Sequence, residues 1–269
     1  MGLLTLIFSL TGLAYAASCG LFFVHLTRGK ESAVRGGTRL LAAAIATHAA
    51  YLAGDFLLEN RDPTADIYQV LVLLSLLISV AFLLSMRRAR LSVLGAFITP
   101  IALVLFLSAG LRGSVPPVPE GVRSALLPVH IAVNVLGIVA FALAFATAVA
   151  YVIQEKLLRS KQVVGTFQRL PSLDVLDSFG LKLVTIGFPL FTLGMVSGSF
   201  WAVKLGGDPT HLTTGQGFAV LAWVFFAGVL LSRAAAGWRG RRAAIGTMLG
   251  FLCSLAALGG YLLRSAGGS

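Results

Sequence analysis

Long apolar runs alternate with short polar loops along the whole chain of 269 residues. A helix needs about 20 apolar residues to cross the hydrocarbon of a bilayer, and eight runs are about that long. We therefore predict an all-α integral membrane protein, one polytopic domain over residues 1–269 that forms a bundle of about eight transmembrane helices. The predicted spans are 3–26, 38–58, 67–86, 91–111, 124–153, 181–203, 215–233 and 241–263.

The composition agrees with burial in lipid. Hydrophobic residues make up 57% of the chain and charged residues 12%, and the mean hydropathy is +0.91. Such a chain has too few polar side chains to cover a water-exposed surface. The formal net charge of +11 comes from residues at the ends of apolar runs and not from one basic stripe, so we predict no binding to nucleic acid.

The distribution of Lys and Arg predicts the orientation, because positively charged loops stay cytoplasmic. Most of these residues follow the first, third, fifth and seventh predicted helices, so we expect both termini to be extracytoplasmic. We predict a multi-pass protein of a bacterial-type inner (cytoplasmic) membrane. The residues on the predicted inner side are Arg28, Lys30, Arg35, Arg39, Arg87, Arg88, Arg90, Lys156, Arg159, Lys161, Arg169, Arg233, Arg239, Arg241 and Arg242.

Residues 154–180 form the longest polar segment. Apolar residues recur there at helical spacing beside charged ones, which predicts an amphipathic connection between helices 5 and 6 that lies on the cytoplasmic surface. A docking site for a soluble partner is the alternative. The apolar positions are Phe167, Leu170, Leu173, Leu176 and Phe179.

The four histidines are the main candidates for chemistry, since an ionisable group inside a membrane is costly. His48 is nine residues beyond Arg39 in helix 2, which places it about 13 Å deep at 1.5 Å per residue. It is either a functional group or a core histidine bonded to a neighbouring helix. Asp55, seven residues further along the same face, either assists it or meets water at the outer end. His25 is expected to be an interfacial residue.

Two further histidines are predicted to share the outer side. His130 lies in the first turns of helix 5, and Asn134 follows at i+4 on the same face, where its amide is placed to orient the imidazole. His211 lies in the outer loop 205–214, where a solvated surface histidine is the plain alternative. Trp201, at the outer end of helix 6, is either a stacking platform or an interfacial anchor.

This set of residues favours haem over a bare metal ion. Neutral imidazole binds haem iron axially, and helices supply the long apolar slot that the macrocycle needs. Cys19 and Cys253 lie in separate apolar runs, and neither cysteines nor a carboxylate triad accompany the histidines as zinc or copper sites would require. We predict haem b with His130 and His211 on the iron, His48 as a second site or relay, and Asn134 and Trp201 as further contacts.

Several ordered motifs carry a family resemblance. The chain resembles the cytochrome c assembly proteins of the CcsA/HemX type, chiefly over residues 126–264. No phosphate-binding loop, nucleophile elbow or His-Glu-x-x-His motif occurs in the chain. The matching segments are Leu126-Leu127-Pro128-Val129-His130, Ile186-Gly187-Phe188-Pro189-Leu190, Gly194 with Ser197-Gly198 and Trp201, and Gly237-Trp238-Arg239-Gly240.

The resemblance implies haem delivery or regulation and not conventional catalysis. CcsA-type proteins carry a W-G-x-x-W-x-W-D-P-K-E signature after the Gly-Phe-Pro helix. Here only Trp201 and Asp208-Pro209 match it. Thr210-His211 fits the HemX/YpjD-like branch, in which a short loop with a Thr-His pair replaces the Trp-rich segment.

The sequence leaves two main hypotheses for the function. In the first, the protein handles haem, with haem and another cytochrome c assembly subunit as partners. In the second, it is a regulatory scaffold whose residues 154–180 bind a soluble enzyme of tetrapyrrole synthesis. A transporter is the third possibility, weakened by the lack of a visible internal repeat.

Overall fold

The computed structural model describes residues 2–64, 66–86, 91–111, 127–160, 170–204 and 212–267. All regular elements in these ranges are helical, and eight helices are long and apolar enough to cross a membrane. The predicted all-α bundle of eight spans is confirmed. The elements are α1 (Leu3–Arg28), α2 (Glu31–Glu59), α3 (Ile67–Ser85), α4 (Gly95–Leu107, flanked by 3₁₀ turns Ser92–Leu94 and Ser108–Leu111), α5 (Leu127–Arg159), α6 (Leu173–Lys204), α7 (Thr214–Ala236) and α8 (Arg241–Gly267).

Local chemistry explains where several helices begin and end. Helices α1 and α7 end at Gly29 and Gly237, whose φ angles of 66° and 64° are in the left-handed region that favours glycine. Helix α3 begins after Asp66, whose carboxylate accepts a 2.8 Å hydrogen bond from the Gln69 N–H. Helix α7 begins with a capping box at Thr213.

Several helices extend further at one end than the apolar runs predict, whereas α3 ends at Ser85 and the α-helical part of α4 is shorter than its predicted span. Helix α2 begins at Glu31, α5 continues to Arg159 and α6 begins at Leu173. Hydropathy marks the part of a helix that lies in hydrocarbon, whereas backbone hydrogen bonding continues into polar turns beyond it. The described parts of segment 154–180 are thus mainly the end of α5 and the beginning of α6. Residues 161–169 lie outside the described residues, so a surface helix there stays a prediction.

The helices pack as two groups that meet along α5. In the first group α1 contacts α2 and α4, and α3 contacts α4; in the second group α5 contacts α6 and α8, and α7 contacts α8. Helices α3 and α4 contact α5 and join the two groups. Helix α5 is therefore the central helix, and groups in its first turns are positioned by the body of the bundle.

Small and aromatic side chains fill the core around α5. Residues 137–144 of α5 are buried without interruption. The Phe141 ring stacks on Phe226 of α7 with centroids 3.6 Å apart and meets Phe191 of α6 edge-on at 5.5 Å. Such pairs add attraction beyond the burial of apolar area, so α5, α6 and α7 are held together near mid-span.

Candidate functional site

Helices α5 and α6 run antiparallel at very close range because glycines line their contact. A Cβ atom added to Gly137 would lie 3.0 Å from the Phe191 nitrogen and 3.2 Å from the Gly187 oxygen, both backbone atoms. Small residues, glycine above all, let helix backbones approach this closely in lipid. We call the end of this pair where α5 begins and α6 ends the first end, which is the predicted outer side, and the opposite end the second end.

At the first end the same glycine row makes room for polar side chains. A Cβ atom at Gly194 would overlap the Asn134 amide, and one at Gly198 would lie 3.1 Å from Cε1 of His130. Gly194 and Gly198 are one turn apart on α6, and Asn134 and His130 are one turn apart on α5. The Gly-x-x-x-Gly of α6 is thus a notch that receives the His130 and Asn134 side chains.

The His130 ring is held by Ser197, a residue that the sequence analysis did not assign to the site. Ser197 Oγ lies 2.7 Å from His130 Nδ1, and the ring is half-buried. Asn134 shares the helix face with His130 as predicted, but its Nδ2 donates to the His130 backbone carbonyl at 2.9 Å. The shortest side-chain contact to the imidazole therefore comes from Ser197 on α6, while Asn134 Nδ2 lies 3.5 Å and 3.4 Å from the two ring nitrogens.

The other predicted contacts at the first end are not described in atomic detail. His211 lies outside the described residues, and Trp201 belongs to the last turn of α6 without a described side chain. Leu212, the neighbour of His211, precedes α7 directly. Helix α7 begins at the end where α6 finishes, and the position of His211 and its pairing with His130 stay predictions.

His48 lies in the other half of the bundle and is completely buried. Its Nδ1 is 3.0 Å from the Tyr15 hydroxyl, and its Nε2 has no hydrogen-bond partner among the described residues. The Phe106 ring packs against the imidazole with centroids 4.6 Å apart. Aromatic side chains of α1 and α4 therefore fill the space beside the ring.

Asp55 does not simply meet water, although it lies near the end of α2. Its carboxylate is buried, accepts a hydrogen bond from Gln69 Nε2 and pairs with Arg61 at 3.1 Å. A buried carboxylate needs such partners because desolvation of the charge is costly. Its described role is to connect the end of α2 to α3.

The Gly-Trp-Arg-Gly motif lies at the second end and has a structural explanation. Asp177 of α6 binds both terminal nitrogens of Arg233 on α7, at 3.0 Å and 2.7 Å. The same carboxylate accepts the Gly240 N–H at 3.2 Å. Gly240 has a φ of 75°, a conformation that few residues with a side chain adopt. The motif thus shapes a turn through which one carboxylate joins α6, α7 and α8.

The two ends of the α5–α6 pair are chemically separate. A cleft beside the Asp177–Arg233 pair is lined by small residues of α5, α6 and α8 and by Tyr151. Tyr151 is 21 residues after His130 on α5, which corresponds to about 30 Å along a helix. Across the described ranges, no three His, Cys, Asp or Glu side chains come together in a way that would hold a metal ion.

Together, the eight spans and the imidazole in a glycine-lined notch define a multi-pass helical membrane protein with a candidate ligand site between two helices. The chain belongs to the Cytochrome C assembly protein family, whose model matches residues 64–266. This range covers α3 to α7 and all of α8 but its last residue, and it includes His130, the glycine notch and the Asp177 contacts.

The chain is similar to cytochrome c biogenesis proteins CcsA. It is 25% identical to CcsA of Gloeothece citriformis over 80% of this chain and 81% of that protein. It is 23% identical to CcsA of a Synechocystis species, with 86% of each chain covered. CcsA of Mesostigma viride is 26% identical over 72% of both chains.

A solved structure shares the fold. The chain superposes on a cytochrome c haem lyase CcmF with a TM-score of 0.64 and 18% sequence identity. The match covers 97% of this chain but only 51% of CcmF, so this chain spans about half the length of that protein. At this identity the similarity supports the helical fold alone.

Proposed function

We propose that this protein binds and hands on haem during cytochrome c assembly, with His130 and His211 as axial ligands on the extracytoplasmic side. The observation that carries the proposal is the position of His130 in the notch between α5 and α6. Membership of the Cytochrome C assembly protein family supports the same biological role. Haem would supply an iron centre that accepts imidazole nitrogens as axial ligands.

The exposure of His130 is compatible with binding a ligand. The residue is half-buried, so part of its surface is accessible. Trp201, in the last turn of α6, would be the further aromatic contact.

We propose haem b as the bound form. Covalent attachment of haem uses a Cys-x-x-Cys-His motif, and the two cysteines of this chain are residues 19 and 253. The protein would therefore hold haem only through histidines and apolar contacts. Such binding is reversible, as delivery to another protein requires.

We propose that the protein delivers haem and does not itself attach haem covalently to cytochrome c. The Trp-rich signature expected of CcsA-type proteins is reduced here to Trp201 and Asp208-Pro209. A HemX/YpjD-like haem carrier of the bacterial cytoplasmic membrane fits this loop better than an enzyme that forms thioether bonds. The partner would be another cytochrome c assembly subunit.

His48 fits a relay better than a second haem site. Its Nε2 is a free buried donor or acceptor, but its ring is enclosed by Tyr15 and Phe106. A macrocycle would reach the iron-binding nitrogen only if these side chains moved. A role in passing a proton or holding an internal water requires no such movement.

An absorption spectrum of the detergent-purified protein, with haem per chain quantified, tests the main proposal. The wild type should show a Soret band, and His130→Ala and His211→Ala should each weaken or shift it. His25→Gln, at the opposite end of α1 from the site, is the matched histidine control. Full haem content in the His130→Ala/His211→Ala double variant would falsify the assignment.

The regulatory scaffold remains the alternative outcome. If the wild type binds no haem, charge reversal in segment 154–180 should be tested for loss of binding to a tetrapyrrole-synthesis enzyme. Loss of binding with an unchanged absorption spectrum would favour the scaffold.

A further inference from the structure

The hydroxyl group of Ser197 lies within hydrogen-bond distance of two backbone carbonyls of its own helix, both of which can only accept its proton. Ser197 Oγ lies 2.8 Å from the Leu193 carbonyl and 3.0 Å from the Gly194 carbonyl. Serine hydroxyls in helices commonly donate to these preceding carbonyls. A hydroxyl has one O–H and two lone pairs, so Ser197 Oγ faces His130 as a hydrogen-bond acceptor.

The acceptor role of Ser197 determines where the proton sits on His130. His130 Nδ1 is 2.7 Å from Ser197 Oγ, so Nδ1 carries the hydrogen and donates it. In a neutral imidazole only one nitrogen carries hydrogen, and the other presents a lone pair. Nε2 is therefore the nitrogen that can bind a metal.

Asn134 leaves this lone pair open. Its Nδ2 lies 3.5 Å from Nδ1 and 3.4 Å from Nε2 of His130. Nearly equal distances to both ring nitrogens place the amide away from either lone-pair direction. The Asn134 amide instead makes its 2.9 Å hydrogen bond to the His130 carbonyl.

We infer that Ser197 is a positioning residue, which fixes His130 in the Nδ1–H tautomer and directs Nε2 to an incoming metal. The inference rests on the proposed haem-binding function where it concerns the ligand, but the tautomer is a property of the protein alone. Gly194 and Gly198 on either side of Ser197 let the His130 ring approach close enough for the bond. Histidines that bind metals generally use a hydrogen bond from the second ring nitrogen in this way.

Nitrogen NMR of the haem-free, histidine-labelled protein tests the tautomer directly, with His130→Ala identifying the signal. The wild type should show His130 protonated at Nδ1. Ser197→Ala should shift the ring towards a mixture of tautomers, and Ser197→Thr, which keeps the hydroxyl, should restore the wild-type signal. Ser199→Ala is the matched control, because Ser199 is exposed and donates only to the Met195 carbonyl of its own helix among its described contacts.

Haem titration then tests the consequence for binding. Loss of a partner that orients a metal-binding histidine typically weakens binding by about 10–100-fold. We expect such a loss, with a shifted reduction potential, for Ser197→Ala and near wild-type values for Ser197→Thr and Ser199→Ala. Thermal melting of each apo variant separates this effect from unfolding.

These measurements separate the positioning role of Ser197 from the proposed haem binding. An Nδ1–H signal that persists in Ser197→Ala overturns the positioning role whether or not haem binds. Equal effects of Ser197→Ala and Ser199→Ala on haem affinity also overturn it. If the wild type binds no haem while the tautomer changes as expected, the proposed function fails and the positioning of His130 stands.

Discussion

The two halves of the bundle each shield a histidine from water, but with opposite surroundings. His48 is enclosed by the Tyr15 and Phe106 rings, whereas His130 lies against glycines and is half-buried. Aromatic rings pack around His48, whereas the space beside the glycines is taken up by the His130 and Asn134 side chains themselves. Depth in the membrane alone therefore does not distinguish the two histidines; the size of the side chains on the facing helix does.

We expect the largest effect on haem binding and stability from a substitution that fills the glycine notch beside His130. Gly194→Ala introduces a Cβ atom that overlaps the Asn134 amide, and overpacking of this kind costs about 1–3 kcal/mol. We expect a lower melting temperature and loss of haem binding, measured by thermal denaturation and by the Soret band.

The control for that substitution is Gly228→Ala on α7, where no atom lies within 4 Å of the added Cβ. Alanine favours a helix over glycine by about 1 kcal/mol, so this variant should be at least as stable as the wild type. A Gly194→Ala protein with full haem content would show that the notch does not form the site.

Loss of the Tyr15 partner of His48 should lower stability without changing haem binding. Tyr15→Phe removes the hydroxyl 3.0 Å from His48 Nδ1. Leaving a buried polar atom without its partner costs about 1–3 kcal/mol. We expect a lower melting temperature with an unchanged haem content per folded chain; a lost Soret band would instead place His48 in the haem site.

A variant at the second end of α6 tests whether a loss of stability far from His130 is enough to reduce haem affinity. Asp177→Asn keeps one acceptor oxygen but weakens the paired contact with Arg233, whose side chain is 14% exposed. Charged hydrogen bonds contribute about 1.5–3 kcal/mol, and partial exposure reduces this, so we expect a loss of about 1–2 kcal/mol. Calorimetry should show the change, while haem titration should match the wild type.

Asp174→Asn is the matched control for that experiment, since Asp174 is exposed in the first turn of the same helix. Haem affinity that falls with stability in Asp177→Asn would mean that the two ends of α6 are coupled.

The smallest effect is expected at Thr11, one helical turn before Tyr15 on α1. Thr11 Oγ1 is buried without a hydrogen-bond partner among the described residues. Thr11→Val replaces this hydroxyl with a methyl group of similar size, so the free energy of unfolding should stay within about 0.5 kcal/mol of the wild-type value or rise, as measured by chemical denaturation. A clear loss of stability would indicate that Thr11 binds an internal water.

The spans were predictable because lipid allows few ways to satisfy a polar backbone. An apolar run of the required length must be helical to pair its own N–H and C=O groups. The ends were less predictable, as α6 shows by beginning at Leu173. Polar residues such as Asp174 are compatible with a helix once it leaves the hydrocarbon, so hydropathy alone does not show where it starts.

The histidine of the candidate site could be predicted from the sequence, but its hydrogen-bond partner could not. The position of His130 in an apolar run marked it as unusual, and Asn134 followed from helical spacing. Ser197 is 67 residues away and meets His130 only because α5 and α6 pair in one antiparallel register. The Gly-x-x-x-Gly pattern at residues 194 and 198 indicates close packing but does not say which helix it receives.

The backbone contact at Gly137 also limits how far α5 and α6 can slide along each other. Atoms of the two main chains would lie about 3 Å from any added side-chain carbon at this point, so the neighbouring larger residues cannot pass through it. A shift of one residue is about 1.5 Å, more than the bond between His130 and Ser197 could tolerate. Glycines near mid-span thereby set the alignment of atoms two helical turns away, and a substitution there would misplace the imidazole without touching it.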